Sequence, residues 1–130
     1  MSYNEIMNKK DLKKYIGEYM NSWSANNPDE LLKFYSKNVQ FVDPANPKGI
    51  ENKKDLELYL KPLLRRNSKW NWAIQELIPS KKGCIVKSKA IIPVGRRKEV
   101  VSCVDIIELR GKKITRNEIF FDTPKGYKVK

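Results

Sequence analysis

Residues 98–121 read KEVVSCVDIIELRGKKITRNEIFF, two apolar-rich runs separated by Arg110-Gly111-Lys112, and this stretch decides the fold. Side chains in a strand alternate between faces. In the first run Val101, Cys103, Asp105, Ile107 and Leu109 therefore share one face, and Val100, Ser102, Val104, Ile106 and Glu108 share the other. The second run, Lys113 to Phe121, puts Asn117, Ile119 and Phe121 on one face. A tight turn between two such runs makes them antiparallel neighbours. Asp105 has only apolar companions on its own face, so it must find a strong partner or keep its proton, because desolvation disfavours the charged form.

Working outward, Lys69 to Pro79 and Cys84 to Val94 have the same period of two, with the turns SKKG and VGRR between the runs. Four consecutive antiparallel strands are expected from residue 69 onward. Trp70 and Trp72 lie two apart on one strand face, as core or dimer-interface residues or as a ligand platform. Before Asn67 the period is that of a helix. Leu12, Tyr15, Ile16, Tyr19, Met20 and Trp23 form one stripe of a helix from Lys9 to about Asn26. Asn27 caps a second helix that opens on Pro28 and runs through Tyr35. A short strand, Val39 to Asp43, follows, with Val39, Phe41 and Asp43 on its core face. NPKGIENK is read as a loop, and a third helix runs from about Lys53 to Arg66 with Leu56, Tyr59, Leu60, Leu63 and Leu64 on one side. Pro62 predicts a kink in that helix or an earlier end. Helices first and an antiparallel meander afterwards is an α+β layout: three N-terminal helices packed on one face of a curved antiparallel sheet.

Composition narrows the chemistry. The chain of 130 residues suits a single domain, with a core from about residue 9 to 123 and a basic tail at 124–130 that is free to fray. It has no histidine. Ser-His-Asp and Cys-His catalysis and histidine metal sites are thereby excluded, and acid–base work must fall to carboxylates, tyrosines or lysines. The two cysteines, Cys84 and Cys103, lack C-x-x-C spacing, so no metal knuckle or redox motif is expected. No apolar run is long enough for a membrane span, and MSYNEIMNKKDLKK does not read as a secretory signal. The expected location is the cytoplasm. The net charge of +12, from 27 basic and 15 acidic residues, is spread in small groups such as Lys53-Lys54, Arg65-Arg66 and Arg96-Arg97-Lys98. That scatter reads first as solvated surface, second as the mark of an anionic ligand or partner, and last as dedicated nucleic-acid binding, which is not expected.

Two readings of FVDPANP, residues 41–47, stand side by side. Asp43 before Pro44 is ordinary turn punctuation, or it is a general base closing a pocket. Tyr19 is likewise a core tyrosine with a satisfied hydroxyl or a pocket donor, and Asp105 is structural glue or a neutral acid.

EYMNSWSANNPDELLKFYSKNVQFVDP, residues 18–44, resembles the opening helices of the nuclear transport factor 2-like superfamily, and SCVDIIELRGKKITRNEIFFD, residues 102–122, resembles its last two strands. The likeness is to the SnoaL-like and steroid Δ5-isomerase-like branches and covers about residues 9 to 123. It implies a cone enclosing an apolar pocket, a hydrophobic small-molecule ligand, no cofactor or metal, and a homodimer formed through the outer face of the sheet. By the same resemblance Tyr19 matches an oxyanion-hole tyrosine, Asp43 a general base and Asp105 a second oxyanion-hole donor kept neutral by its apolar site, as in ketosteroid isomerase. Trp23, Phe41, Trp72, Cys103, Asn117 and Phe121 are expected to line the pocket. The implied activity is cofactor-independent isomerisation or cyclisation through a proton removed alpha to a carbonyl, and the alternative is a non-catalytic module binding a small molecule or a protein. The histidines of scytalone dehydratase and the Arg-x-Asp pair of limonene epoxide hydrolase have no counterpart, so neither activity is expected.

Overall fold

The computed structural model describes residues 7–122; the 124–130 tail lies outside the described residues, as does the first part of the N-terminal stretch read for a signal. Helix α1 spans Lys9–Ser24, α2 Pro28–Leu32 and α3 Lys53–Arg66, and strands β1 to β6 span Tyr35–Asp43, Asn46–Ile50, Asn71–Pro79, Gly83–Val94, Arg97–Arg110 and Lys113–Asp122. The strands form one six-stranded sheet in the order β2-β1-β6-β5-β4-β3. Every neighbouring pair is antiparallel except β1 and β6, which run parallel. That pairing joins the N-terminal half of the chain to the C-terminal meander. The helices pack on the inner face of the curved sheet, which gives the α+β architecture expected of the sequence.

Asparagine caps start all three helices. Asn8, Asn27 and Asn52 each accept a hydrogen bond from the backbone N–H three residues on, satisfying a donor that the first helical turn leaves free. The stripe of α1 buries Leu12, Ile16, Tyr19, Met20 and Trp23, and α3 buries Leu56, Leu60, Leu63 and Leu64. These side chains meet Val39 and Phe41 of β1 and Val101, Cys103 and Ile107 of β5 in a single core. Alternation thus assigns both strand faces as the sequence does.

Two local features differ from expectation. The second helix stops at Leu32, and Tyr35 opens a strand. The Phe34 carbonyl accepts a hydrogen bond from the Ile114 N–H at 2.7 Å, and Tyr35 lies opposite Ile114, so pairing with β6 overrides a local helical pattern. NPKGIENK contains β2, an edge strand folded back on β1 with Asp43 opposite Asn46. Pro47 and Gly49 argue against a strand there, but an edge tolerates a proline, and Gly49 takes φ +90°. The third helix keeps its expected bounds, Lys53–Arg66, with Pro62 inside it. Pro62 is exposed, so the carbonyl it leaves without an N–H lies on the wet side of the helix.

Asn26, at φ 56°, follows the end of α1. Its side-chain amide donates to the carbonyls of Leu64 and Asn67, joining the C-terminal end of α1 to that of α3. The Asn67 amide donates in turn to the Leu63 carbonyl at 2.8 Å, so the open carbonyls that finish α3 are largely taken by asparagine.

Candidate active site

Between α1, α3 and the inner face of the sheet lies a small cavity, about 20 Å³, which is room for roughly one water molecule. Met20, Trp23, Tyr59, Leu63, Trp70, Trp72, Ile119 and Phe121 line it, and two acids, Asp43 and Asp105, complete the wall. Trp72 is the centre of its aromatic side, with ring centroids 5.8 Å from Trp23, 6.1 Å from Trp70 and 6.3 Å from Phe121. Its backbone is pinned to the end of α1, where Trp72 N donates to the Ser24 hydroxyl at 3.0 Å. Its indole N–H is buried and has no hydrogen-bond partner among the described residues; the hydroxyl of Ser88 is in the same position.

The two acids sit in opposite surroundings. Asp43 ends β1 and is 7% exposed. Its Oδ1 accepts from the backbone N–H of Asn46 at 2.8 Å and from the Asn46 side-chain amide at 2.9 Å, while Oδ2 accepts from the Tyr59 hydroxyl at 2.6 Å. Asp105 is in the middle of β5, between Val86 of β4 and Ile119 of β6, and is 4% exposed. Its one hydrogen bond among the described residues comes from the Asn117 amide to Oδ2 at 3.2 Å. Burial pushes the Asp105 carboxyl up to about 7, and the Asn117 bond opposes that rise only in part. At neutral pH the protonated form is therefore well populated.

Behind Asp105 lies a buried polar chain. Asn117 Oδ1 accepts from the hydroxyls of Tyr19 at 2.8 Å and Tyr35 at 2.9 Å, and the two hydroxyls are 2.8 Å apart. Three contacts share two phenolic protons, so one contact is always without a proton of its own. Burial raises both phenols, which keeps them neutral donors. Cys103 also flanks Asp105, and burial, with the nearby Asp105 charge, pushes its thiol up to about 12.

Of the expected site residues, Asp43, Asp105, Trp23, Trp72 and Phe121 meet at the cavity. Tyr19, Phe41, Cys103 and Asn117 are fully buried behind its wall; Tyr19 reaches Asp105 only through Asn117. Two participants escape the sequence reading. Tyr59 counts there only as a stripe residue of α3, and Tyr35 is placed at a helix end. The signal for Tyr59 is a tyrosine among leucines on a buried stripe, whose hydroxyl must find a partner.

The SnoaL-like domain family matches residues 16–117, from the middle of α1 to the asparagine behind Asp105. The chain belongs to the SnoaL-like domain family. Solved structures agree on the fold. An NTF-2 like protein of unknown function from Burkholderia xenovorans LB400 superposes with a TM-score of 0.73 at 14% identity, covering 95% of this chain and 91% of that one. The epoxide hydrolase/cyclase-like enzyme SalBIII, of pyran ring formation in the polyether salinomycin, superposes at 0.74 with 16% identity over 91% and 95% of the two chains. A protein with a ketosteroid isomerase-like fold from Catenulispora acidiphila DSM 44928, in complex with trimethylamine, gives 0.70 at 13% identity over 82% and 83%. No curated protein matches the sequence. As a SnoaL-like domain the chain carries the nuclear transport factor 2-like fold that its sequence resembles. No helix among the described residues is long and apolar enough to cross a membrane.

Proposed function

We propose that this SnoaL-like protein is a cofactor-independent acid–base catalyst of isomerase or cyclase type, acting on a small apolar carbonyl compound. The observation that carries the reading is the pairing of Asp43 and Asp105 in one apolar cavity with opposite environments. Two acids in such different surroundings can divide the roles of base and acid. Asp43, held by three donors, removes the proton alpha to the carbonyl. Asp105, carrying its proton, donates to the oxygen on which negative charge develops. Since Asn117 engages Oδ2, the proton belongs on Oδ1, the oxygen without a hydrogen-bond partner among the described residues. The indole N–H of Trp72 supplies a second donor in the wall. Tyr19 and Tyr35 serve as positioning residues, holding Asn117 and through it Asp105. The expected homodimer is also a proposal, supported by Val104 and Phe120, which face each other on the outer side of the sheet and stay exposed.

The test is exchange of the alpha protons of 1-tetralone in D2O, followed by proton NMR. Exchange above the buffer rate, lost in Asp43→Asn, is the expected result. Exchange no faster than in buffer, or undiminished in that variant, overturns the assignment of Asp43 as base. A non-catalytic binding module is the second reading, and one observation favours it: Asn46 and Tyr59 already occupy both oxygens of Asp43. That module would show saturable tetralone binding without exchange.

A further inference from the structure

The cavity is far smaller than the roughly 300–1,000 Å³ of ordinary ligand sites, so an apolar ligand must displace part of its wall. Trp70 is a wall residue with space on its other side. Beyond it lies a surface groove of about 270 Å³ lined by Arg66, Asn67, Ser68, Lys69, Trp70 and Pro93. Trp70 belongs to both sites, and rotation of its ring would join them.

The groove is basic where the cavity is acidic. Neither Arg66 nor Lys69 makes an ion pair among the described residues. Their charges are not needed to finish α3 either, because Asn26 and Asn67 occupy the carbonyls of Leu63, Leu64 and Asn67. An anionic end inside the cavity would meet the Asp43 carboxylate and no basic side chain in the wall; in the groove it meets two cations that have no ion-pair partner among the described residues. We propose that the ligand is amphipathic, with an apolar body in the cavity and an anionic end, a carboxylate or a phosphate ester, on Arg66 and Lys69. This assignment rests on the cavity being the ligand site, and it adds the chemical class of what binds there.

The experiment is a tryptophan-fluorescence titration at pH 7 with 2-naphthol, 2-naphthoate and 2-naphthyl phosphate, which share a ring system and differ in charge. Arg66→Gln/Lys69→Gln is compared with the wild type and with Lys81→Gln/Lys82→Gln, which removes the same charge from the turn at the opposite end of β4. The wild type is expected to bind the anionic probes about fivefold more tightly than 2-naphthol, the scale of an exposed charge pair. The preference should vanish in the Arg66/Lys69 variant, persist in the Lys81/Lys82 variant, and leave 2-naphthol affinity unchanged throughout. The ratio of naphthoate to naphthyl phosphate identifies which anion the groove prefers. Equal binding of neutral and anionic probes, or equal loss in both double variants, overturns the groove while leaving the cavity reading intact. No binding of any probe overturns both.

Discussion

Asp43 and Asp105 border one cavity, yet the backbone around them sets their chemistry apart. Asp43 stands where β1 ends, and the turn that follows leaves the Asn46 N–H free to bind its side chain. Asp105 is mid-strand in β5, which is paired on both sides, with β4 and with β6. Backbone N–H groups there are committed to the ladder, so side-chain amides and hydroxyls are the remaining donors, and Asn117 is the one that reaches it. The lesson is general: an acid at a strand end is solvated by its own turn, whereas an acid inside a sheet depends on borrowed donors and holds its proton when they are few.

The largest expected effect breaks the contrast from the Asp43 side. Asp43→Asn should lower tetralone exchange by about 10²–10⁴-fold, the usual worth of a general base, with circular dichroism unchanged. Retention of activity would mean that the difference between the acids has no catalytic use.

Asp105→Asn probes the other side through stability. The Asp105 carboxyl titrates near 7 in the folded chain against 3.8 as a free side chain. Between about 4 and 7 the folded state therefore holds a proton that the unfolded state has released. The contribution of Asp105 to stability is therefore greatest below that window, falls as pH rises through it, and levels off above about 7. Removing the ionisable group should recover up to about 4 kcal/mol at pH 8 and flatten the urea-derived stability profile across the window relative to the wild type. A parallel profile for the two proteins would place the Asp105 titration outside this range.

Asn117→Ala sharpens the comparison by making Asp105 still more isolated. It also removes the acceptor that Tyr19 and Tyr35 share; one hydroxyl can still donate to the other, so one phenolic proton is left without a partner, at a cost of about 2–3 kcal/mol. Because the Asn117 bond holds the Asp105 carboxyl down, its midpoint should move above about 7, read by carboxyl-carbon NMR. An unmoved midpoint would remove Asn117 from the electrostatics of the site. Tyr59→Phe is the mildest test. Asp43 keeps both Asn46 bonds, so about 1 kcal/mol of stability is expected to go, seen as a lower urea midpoint; a loss as large as that of Asn117→Ala would show that the Asn46 bonds do not hold Asp43.

Most of this architecture is legible in the sequence because its signals are periodic. The alternation of Val101, Cys103, Asp105 and Ile107 assigns the inner face of β5, and the stripe of α1 foretells a buried Tyr19. What stays hidden depends on partners far along the chain. Tyr35 has helix-compatible neighbours, and only β6, some eighty residues later, draws it into a strand. β2 carries Pro47 and Gly49, and exists as a strand because β1 supplies the hydrogen bonds. The site divides in the same way. Asp43 and Asp105 are conspicuous as acids among apolar residues, but whether Tyr19 lines the cavity or sits behind it depends on the Asn117 amide, whose reach no local pattern encodes.

The asparagine that joins the ends of α1 and α3 bears on how fast the site can exchange its contents. With Asn26 holding both helix ends, parting the helices would break two hydrogen bonds at once and belongs to the slow, collective motions of about microseconds to milliseconds. Turning the Trp70 ring breaks none of them. Exchange through the Trp70 wall would therefore run on the clock of a single side chain, and Asn26→Ala would let the slower route compete.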